Sequence, residues 1–153
     1  MPKAKTTDPV DACSKITKNP TIPVSENGRA FVIKNPDRQQ VKIVKVDGCL
    51  VTDHRERCDY CFEVNDPIFC VIYLELKGSD IAKAFQQICA TLQHLSDRHK
   101  EIKKKFCHIV ASRVPKAGPA IQVLQVKMQN QHKAMLKVGT TKVEIDLSKE
   151  PYI

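Results

Sequence analysis

Three ionisable residues stand where an apolar stretch of chain has little reason to put them. Glu75 and Lys77 close a run, residues 68–76 (IFCVIYLEL), that is nine residues long with a single charge, and Asp59 lies sixteen positions before Glu75 inside a second apolar run, 58–64. In an extended strand alternate residues share a face, so Glu75 and Lys77 project together while Leu76 points the other way. If the two runs pair as a hairpin across the turn Asn65-Asp66-Pro67, Asp59 and Glu75 both fall at the end remote from that turn, and two carboxylates come together. Two hard oxygen donors suit magnesium, with manganese able to substitute. A metal held there lowers the pKa of a bound water and neutralises charge developing on a phosphate, while an adjacent ammonium orients the nucleophile or stabilises the transition state.

The ordinary reading of the same residues is weaker but simple. Glu-x-Lys is a common tripeptide pattern, and on an exposed strand it is a solvated ion pair worth little. Asp59 alone is a hairpin residue, and its catalytic reading depends on that of Glu75. Cys58-x-x-Cys61 has the spacing of a zinc knuckle, with Cys49 and Cys70 nearby in sequence. A regular strand through 58–64 would send residues three apart to opposite faces, which argues for buried thiols instead. The five histidines sit in no recognisable signature.

These residues must be positioned by a fold of modest size. At 153 residues and 17.3 kDa the chain encloses one hydrophobic core. Hydrophobic residues at 42% and charged residues at 27% are globular proportions. No stretch approaches the length of a membrane span, the Lys-rich start lacks the apolar segment of a secretory signal, and seven cysteines are an odd number, so a soluble cytoplasmic protein with reduced thiols is expected. The net charge of +8 favours a polyanionic partner.

Along the chain, residues 1–25 read as a polar, Pro-punctuated arm with at most one short helix, around 10–16, and 26–153 as a single domain. The runs 30–34 and 41–46, around Asn35-Pro36-Asp37, read as a hairpin. The run 68–76 reads as a central strand buried on both faces. After Gly78 the period changes, and Ile81, Ala84, Phe85, Ile88, Leu92 and Leu95 mark an amphipathic helix with Ser79 as its N-cap. A strand is expected at 107–112, helix or strand at 120–128, and a closing strand pair at 135–138 and 142–147 around Gly139-Thr140. The fold class is α/β, a mixed central β-sheet of about five strands flanked by helices.

The order strand with Asp, hairpin, strand with Glu-x-Lys, amphipathic helix resembles the PD-(D/E)XK nuclease superfamily over residues 41–95. Cys58-Asp59-Tyr60 and the run from Tyr73 to Asp80 are similar to small bacterial nuclease-like proteins of this group. The resemblance implies a restriction-endonuclease-like sheet and magnesium-dependent cleavage of nucleic acid, DNA rather than RNA, by an endonuclease of defence or repair. It implies Asp59 and Glu75 as metal ligands and Lys77 as their catalytic partner. Members often carry a glutamine on the following helix, a place matched by Gln86 or Gln87. Many add an acid from a helix before the first strand; Glu26, Asp11 and Asp8 are the candidates, none in a helical context, with Asp47 as a substitute. Lys103, Lys104, Lys105, Arg113 and Lys116, otherwise solvated surface, become phosphate contacts. A dimer with one site per strand would serve duplex cleavage. The alternative is a catalytically incomplete module of the same fold that binds nucleic acid or a partner protein.

Overall fold

The computed structural model describes residues 8–76, 79–113 and 119–153. The run with a single charge becomes β6 (Cys70–Leu76), every residue of which is buried. A strand with water on neither face must be covered on both, and that requirement organises the chain. β6 is the fourth strand of a six-stranded sheet ordered β1-β4-β5-β6-β7-β8, whose other members are β1 (Ser14–Thr17), β4 (Val41–Lys45), β5 (Tyr60–Val64), β7 (Lys104–Ala111) and β8 (Ala134–Thr140). β1, β4, β5 and β6 are paired antiparallel, whereas β6, β7 and β8 are parallel. Parallel neighbours need a crossover, supplied by α2 (Ile81–His94) before β7 and α4 (Pro119–His132) before β8. Two short helices, α1 (Pro9–Ala12) and α3 (Ser96–His99), complete the helical elements.

Alternation along β6 divides the core. Val71 and Tyr73 pack with Ile88 of α2, Ile109 of β7 and Met128 of α4. Ile72, Leu74 and Leu76 pack with Phe31, Ile33 and Leu147 beneath a second sheet of β2 (Thr21–Glu26), β3 (Arg29–Lys34) and β9 (Lys142–Asp146), ordered β2-β3-β9. The layers are therefore helices, large sheet, small sheet. Among the described residues no helix is long and apolar enough to cross a membrane.

Several pairings differ from the sequence expectation. The strands at 30–34 and 41–46 form, but β3 pairs with β2 and β9 while β4 pairs with β1 and β5, in different sheets. Asn35 makes a corner there instead of a hairpin turn: its amide donates to Asn19 O (3.1 Å) and Gln39 O (2.8 Å) and accepts from Gln39 N (2.9 Å). The hairpin signal is Asn27-Gly28, with φ of 50° and 81°, joining β2 to β3 with Glu26 opposite Arg29. Nor do β8 and β9 pair with each other. Thr141, at φ 58°, carries the chain between sheets, its N–H donating to Ala111 O and its carbonyl accepting from Ala30 N, both at 2.8 Å. The crossing is tight: a Cβ on Gly139 would lie 2.5 Å from Val143 Cγ2. The segment read as an arm supplies β1 and β2, one strand to each sheet, because Val10 and Ile22 are drawn into the two cores. The segment 120–128 is helical, and α2 is capped by Asp80, not Ser79, through a hydrogen bond from Lys83 N to its carboxylate at 2.9 Å.

The cysteines also part company with the all-reduced expectation. Cys13 and Cys49 form a disulfide, while Cys58, Cys61, Cys70 and Cys107 are free and buried and Cys89 is half-buried.

His108 of β7 is 3% exposed and hydrogen-bonded through Nε2 to the Tyr152 hydroxyl at 2.8 Å. Burial, with the charge of Lys137, brings its imidazole from 6.5 down to about 3. An unfolded chain binds that proton near 6.5 and the folded chain resists it, so the stability His108 lends above 6.5 is lost as pH falls towards 3. His108→Gln is expected to flatten the fall in melting temperature between neutrality and pH 5, where wild type loses about 2 kcal/mol through this group. An unchanged slope in the variant would remove His108 from the account of acid sensitivity.

Candidate active site

β5 and β6 pair with Tyr60 opposite Leu74, and one further step along the same register sets Asp59 opposite Glu75. The backbone holds Asp59 from two sides: its N–H donates to Leu74 O at 3.1 Å, and its carbonyl accepts from Val46 N at 3.0 Å and Asp47 N at 3.3 Å. Its Oδ2 accepts from Leu76 N at 2.8 Å, taking up an amide of β6 beyond the first residue of β5. Glu75 is 2% exposed and, by the alternation of β6, belongs to the face that carries Val71 and Tyr73 towards α2.

Burial holds the Asp59 carboxyl above its ordinary value of 3.8. The charges of Glu26 and Asp47 push in the same direction, against the Leu76 N–H and a hydrogen bond with Glu75. The neighbouring Cys58 thiol is raised to about 12, by burial first and then by the charges of Glu75 and Asp59, against a hydrogen bond with Thr91. It stays protonated at neutral pH in the metal-free chain.

The other acids come from separate elements. Glu26 ends β2 at the hairpin tip, and Asp47 follows β4 in a loop tethered by the Cys13–Cys49 disulfide, where it accepts from Arg57 Nε at 2.9 Å. Asp8 and Asp11 are used elsewhere: Asp8 caps α1 and pairs with Arg98, and Asp11 pairs with Lys42. Among the described residues no three His, Cys, Asp or Glu side chains are grouped so as to hold a metal ion. Cys58 and Cys61 do share one core, because Cys58 precedes β5 and escapes its alternation, but no third ligand joins them among the described residues. Lys77 and Lys116 lie outside the described residues.

α2 lies over this end of the sheet. Thr91 Oγ1 accepts from Cys58 N at 2.8 Å and donates to Gln87 O at 3.0 Å. Gln87, one turn earlier on the same face, is partly buried with an Oε1 that makes no hydrogen bond among the described residues. Gln86 is exposed and opens on a groove between α2 and α4 with Phe85, Cys89 and His132. Of the two glutamines, Gln87 is the one on the face of α2 whose Thr91 meets Cys58 N.

The lysine run is remote. Lys104 pairs with Cys70 and Ile109 with Glu75, so Lys104 lies five strand positions, about 17 Å, from Glu75. The run also divides: Lys104 Nζ sits 5.1 Å from the Phe69 ring centre, whereas Lys105 acts on His132 at the end of α4. Arg113 is exposed just beyond the Glu75 end of β7. Arg29, not singled out from sequence, reaches the same end, with Nη1 donating to Ser112 Oγ at 3.1 Å and a buried Nε that makes no hydrogen bond among the described residues. The signal that would have found it is Asn27-Gly28, whose hairpin places Glu26 and Arg29 side by side.

Comparison with protein-family models, with curated proteins and with solved structures finds no match in any of the three, so the reading of this site rests on its own residues.

Proposed function

We propose that this chain is a divalent-metal-dependent phosphodiesterase of nucleic acid, with a restriction-endonuclease-like core and Asp59 and Glu75 at its centre. The observation that carries the reading is the register that sets Asp59 opposite Glu75 at the ends of two central strands, with Glu26 and Asp47 adding to the negative potential. Two carboxyls brought side by side in a partly buried site repel one another as carboxylates, and hard oxygen donors of this kind suit a small divalent cation. The strand order supports it too. An antiparallel β4-β5-β6 meander followed by α2 and a parallel β7 brings the start of β5 and the end of β6 to one edge of the sheet, where open α/β sheets place their sites.

Magnesium held by Asp59 and Glu75 would supply a water of lowered pKa and neutralise charge on the phosphate. The chain's own groups have distinct tasks. Leu76 N–H fixes the direction of Asp59 Oδ2. Gln87 Oε1 offers an acceptor that can orient the attacking water, and Lys77, two residues beyond Glu75, brings a cation to the phosphoryl oxygens. Arg29 and Arg113, at the same end, contact phosphates on either side of the cut.

The test uses the full chain with plasmid DNA, single-stranded DNA and RNA, each with magnesium, manganese or chelator. Cleavage that needs the divalent ion and disappears in Glu75→Ala and Lys77→Ala, both retaining the wild-type circular dichroism, is the expected result. A second reading, a module that holds nucleic acid without cutting it, is favoured by the lack of a third converging ligand among the described residues. Binding without cleavage in every ion would establish it.

A further inference from the structure

The largest excess of positive charge in this chain lies in one continuous segment. Residues 102–143 contain nine Lys or Arg and no Asp or Glu, a charge of +9 against +8 for the whole chain, so the remainder is net −1. This segment folds as β7, α4 and β8, the edge of the large sheet beyond β6. Within it α4 is largely uncovered. Leu124 and Met128 turn inward to the core, and the opposite face presents Gln122, Val123, Val126, Gln129 and Asn130, all exposed, the valines at 50% and 58%. Positions 122, 126, 129 and 130 recur at three- and four-residue steps and share that face. Its centre carries no charge, while Lys127 flanks it, Lys105 lies by its C-terminal end near His132, and Arg113 lies past the end of β7 from which the chain goes on to α4.

The chemistry of this face decides between occupants. A second copy would have to bring two acid-free, strongly basic segments together, and like charges across an interface cost several kcal/mol. A polyanion meets the rim favourably instead. Carboxamides bond bidentately to an adenine edge, and valine methyls meet the thymine C5-methyl, so an uncharged centre of amides and valines matches base edges better than phosphates. A helix of 14 residues spans about 21 Å and fits the major groove of B-form DNA, roughly 12 Å wide; the deep, narrow major groove of A-form RNA does not admit it.

We propose that α4 is a DNA-docking helix whose exposed face enters the major groove of B-form duplex, with Lys105, Lys127 and Arg113 on the flanking phosphates. The chain enters α4 from the end of β7 that pairs with Glu75, so a duplex seated on α4 runs past the candidate active site. This names the substrate of that site and rests on the nuclease reading for what happens to the bound DNA, but the docking itself needs no metal.

The experiment is fluorescence anisotropy of the full chain in chelator, titrated onto duplexes of about 20 base pairs: A·T-rich DNA, G·C-only DNA and double-stranded RNA. Wild type is expected to bind DNA duplex at least tenfold more tightly than RNA duplex. Val126→Glu should weaken DNA binding by more than tenfold, Gln129→Ala with Asn130→Ala should weaken A·T-rich binding more than G·C binding, and Lys127→Ala should lower the salt slope by about one. Because these side chains are exposed, circular dichroism and melting should stay at wild type. DNA affinity unchanged in Val126→Glu, or equal affinity for RNA duplex, would overturn the proposal; so would a wild-type dimer that Val126→Glu splits without touching DNA affinity. If the α4 variants lose DNA while wild type never cuts, only the nuclease reading fails, and if cutting depends on Asp59 and Glu75 while the α4 variants bind normally, only this one does.

Discussion

Asp59→Asn is expected to lower the rate of DNA cleavage by at least ~10³-fold and, in the same preparation, to raise the melting temperature of the metal-free protein. The opposite signs follow from one geometry. Asparagine keeps an oxygen to accept from Leu76 N and gains an amide that can donate to Glu75, so the hydrogen bonds of the site survive. It removes a carboxyl that burial and the charges of Glu26 and Asp47 hold above the usual range. A raised carboxyl lends stability below its ordinary value of 3.8 and loses it as pH climbs through the folded value. As pH climbs the wild type loses that contribution, and the variant has none to lose. The gain is a few degrees only, since Asp59 keeps some contact with solvent. Manganese should stabilise wild type in thermal melts and leave Asp59→Asn unmoved. A variant that melts below wild type in chelator and cuts at the wild-type rate would end the case for a metal site here.

The placing of Asp59 opposite Glu75 was legible for a simple reason. Period-two alternation and a turn fixed by Asn65-Asp66-Pro67 are local signals, and together they set Asp59 against Glu75 with no long-range information. The supporting acids were not legible in the same way. Glu26 arrives from a sheet that packs on the other side of β6, and Asp47 depends on a loop tied back to Cys13. Which of Gln86 and Gln87 faces the site depends on the angle at which α2 crosses, and the Thr91 bond to Cys58 N reveals it where sequence spacing does not.

Elements were read more reliably than partners. The apolar runs that became β3, β4, β8 and β9 were each recognised as strands, yet both expected hairpins were mistaken, because adjacency in sequence was taken for adjacency in a sheet. What separates the members of each pair is the demand of β6 for cover on both faces. Phe31 and Ile33 are fully buried over Ile72 and Leu74, and β9 reaches β3 only by leaving β8 through Thr141. Polar neighbours hide a core residue in the same way: His99, in the charged stretch before Lys103, is fully buried.

His99 belongs to the interaction whose loss should cost the fold most. Glu63, in the middle of the large sheet with a side chain 2% exposed, accepts from Arg98 Nε at 2.7 Å and Arg98 Nη2 at 2.8 Å and is bonded to His99 Nε2 at 2.5 Å. His99 Nδ1 is bonded in turn to the Tyr73 hydroxyl at 2.6 Å, two residues before Glu75. Burial alone would raise the Glu63 carboxyl, but the hydrogen bonds from Arg98 and His99 outweigh it and bring it from 4.5 to about 2. Glu63→Ala strands His99 in the core beside a lost acceptor, so it is expected to cost about 3–5 kcal/mol, read as a fall in the denaturant midpoint at constant m. Glu63→Gln keeps the volume and one acceptor and should cost less. It should also abolish an acid transition, because the stability Glu63 gives above 4.5 drains away as pH falls towards 2. Replacing Glu63, Arg98 and His99 together by apolar residues of similar size should recover most of the loss, since the penalty lies in leaving one partner alone and not in lacking the network. A Glu63→Ala midpoint matching wild type would mean that water reaches His99 in the absence of the carboxylate, and that this chain of hydrogen bonds does not hold β5, β6 and α3 together.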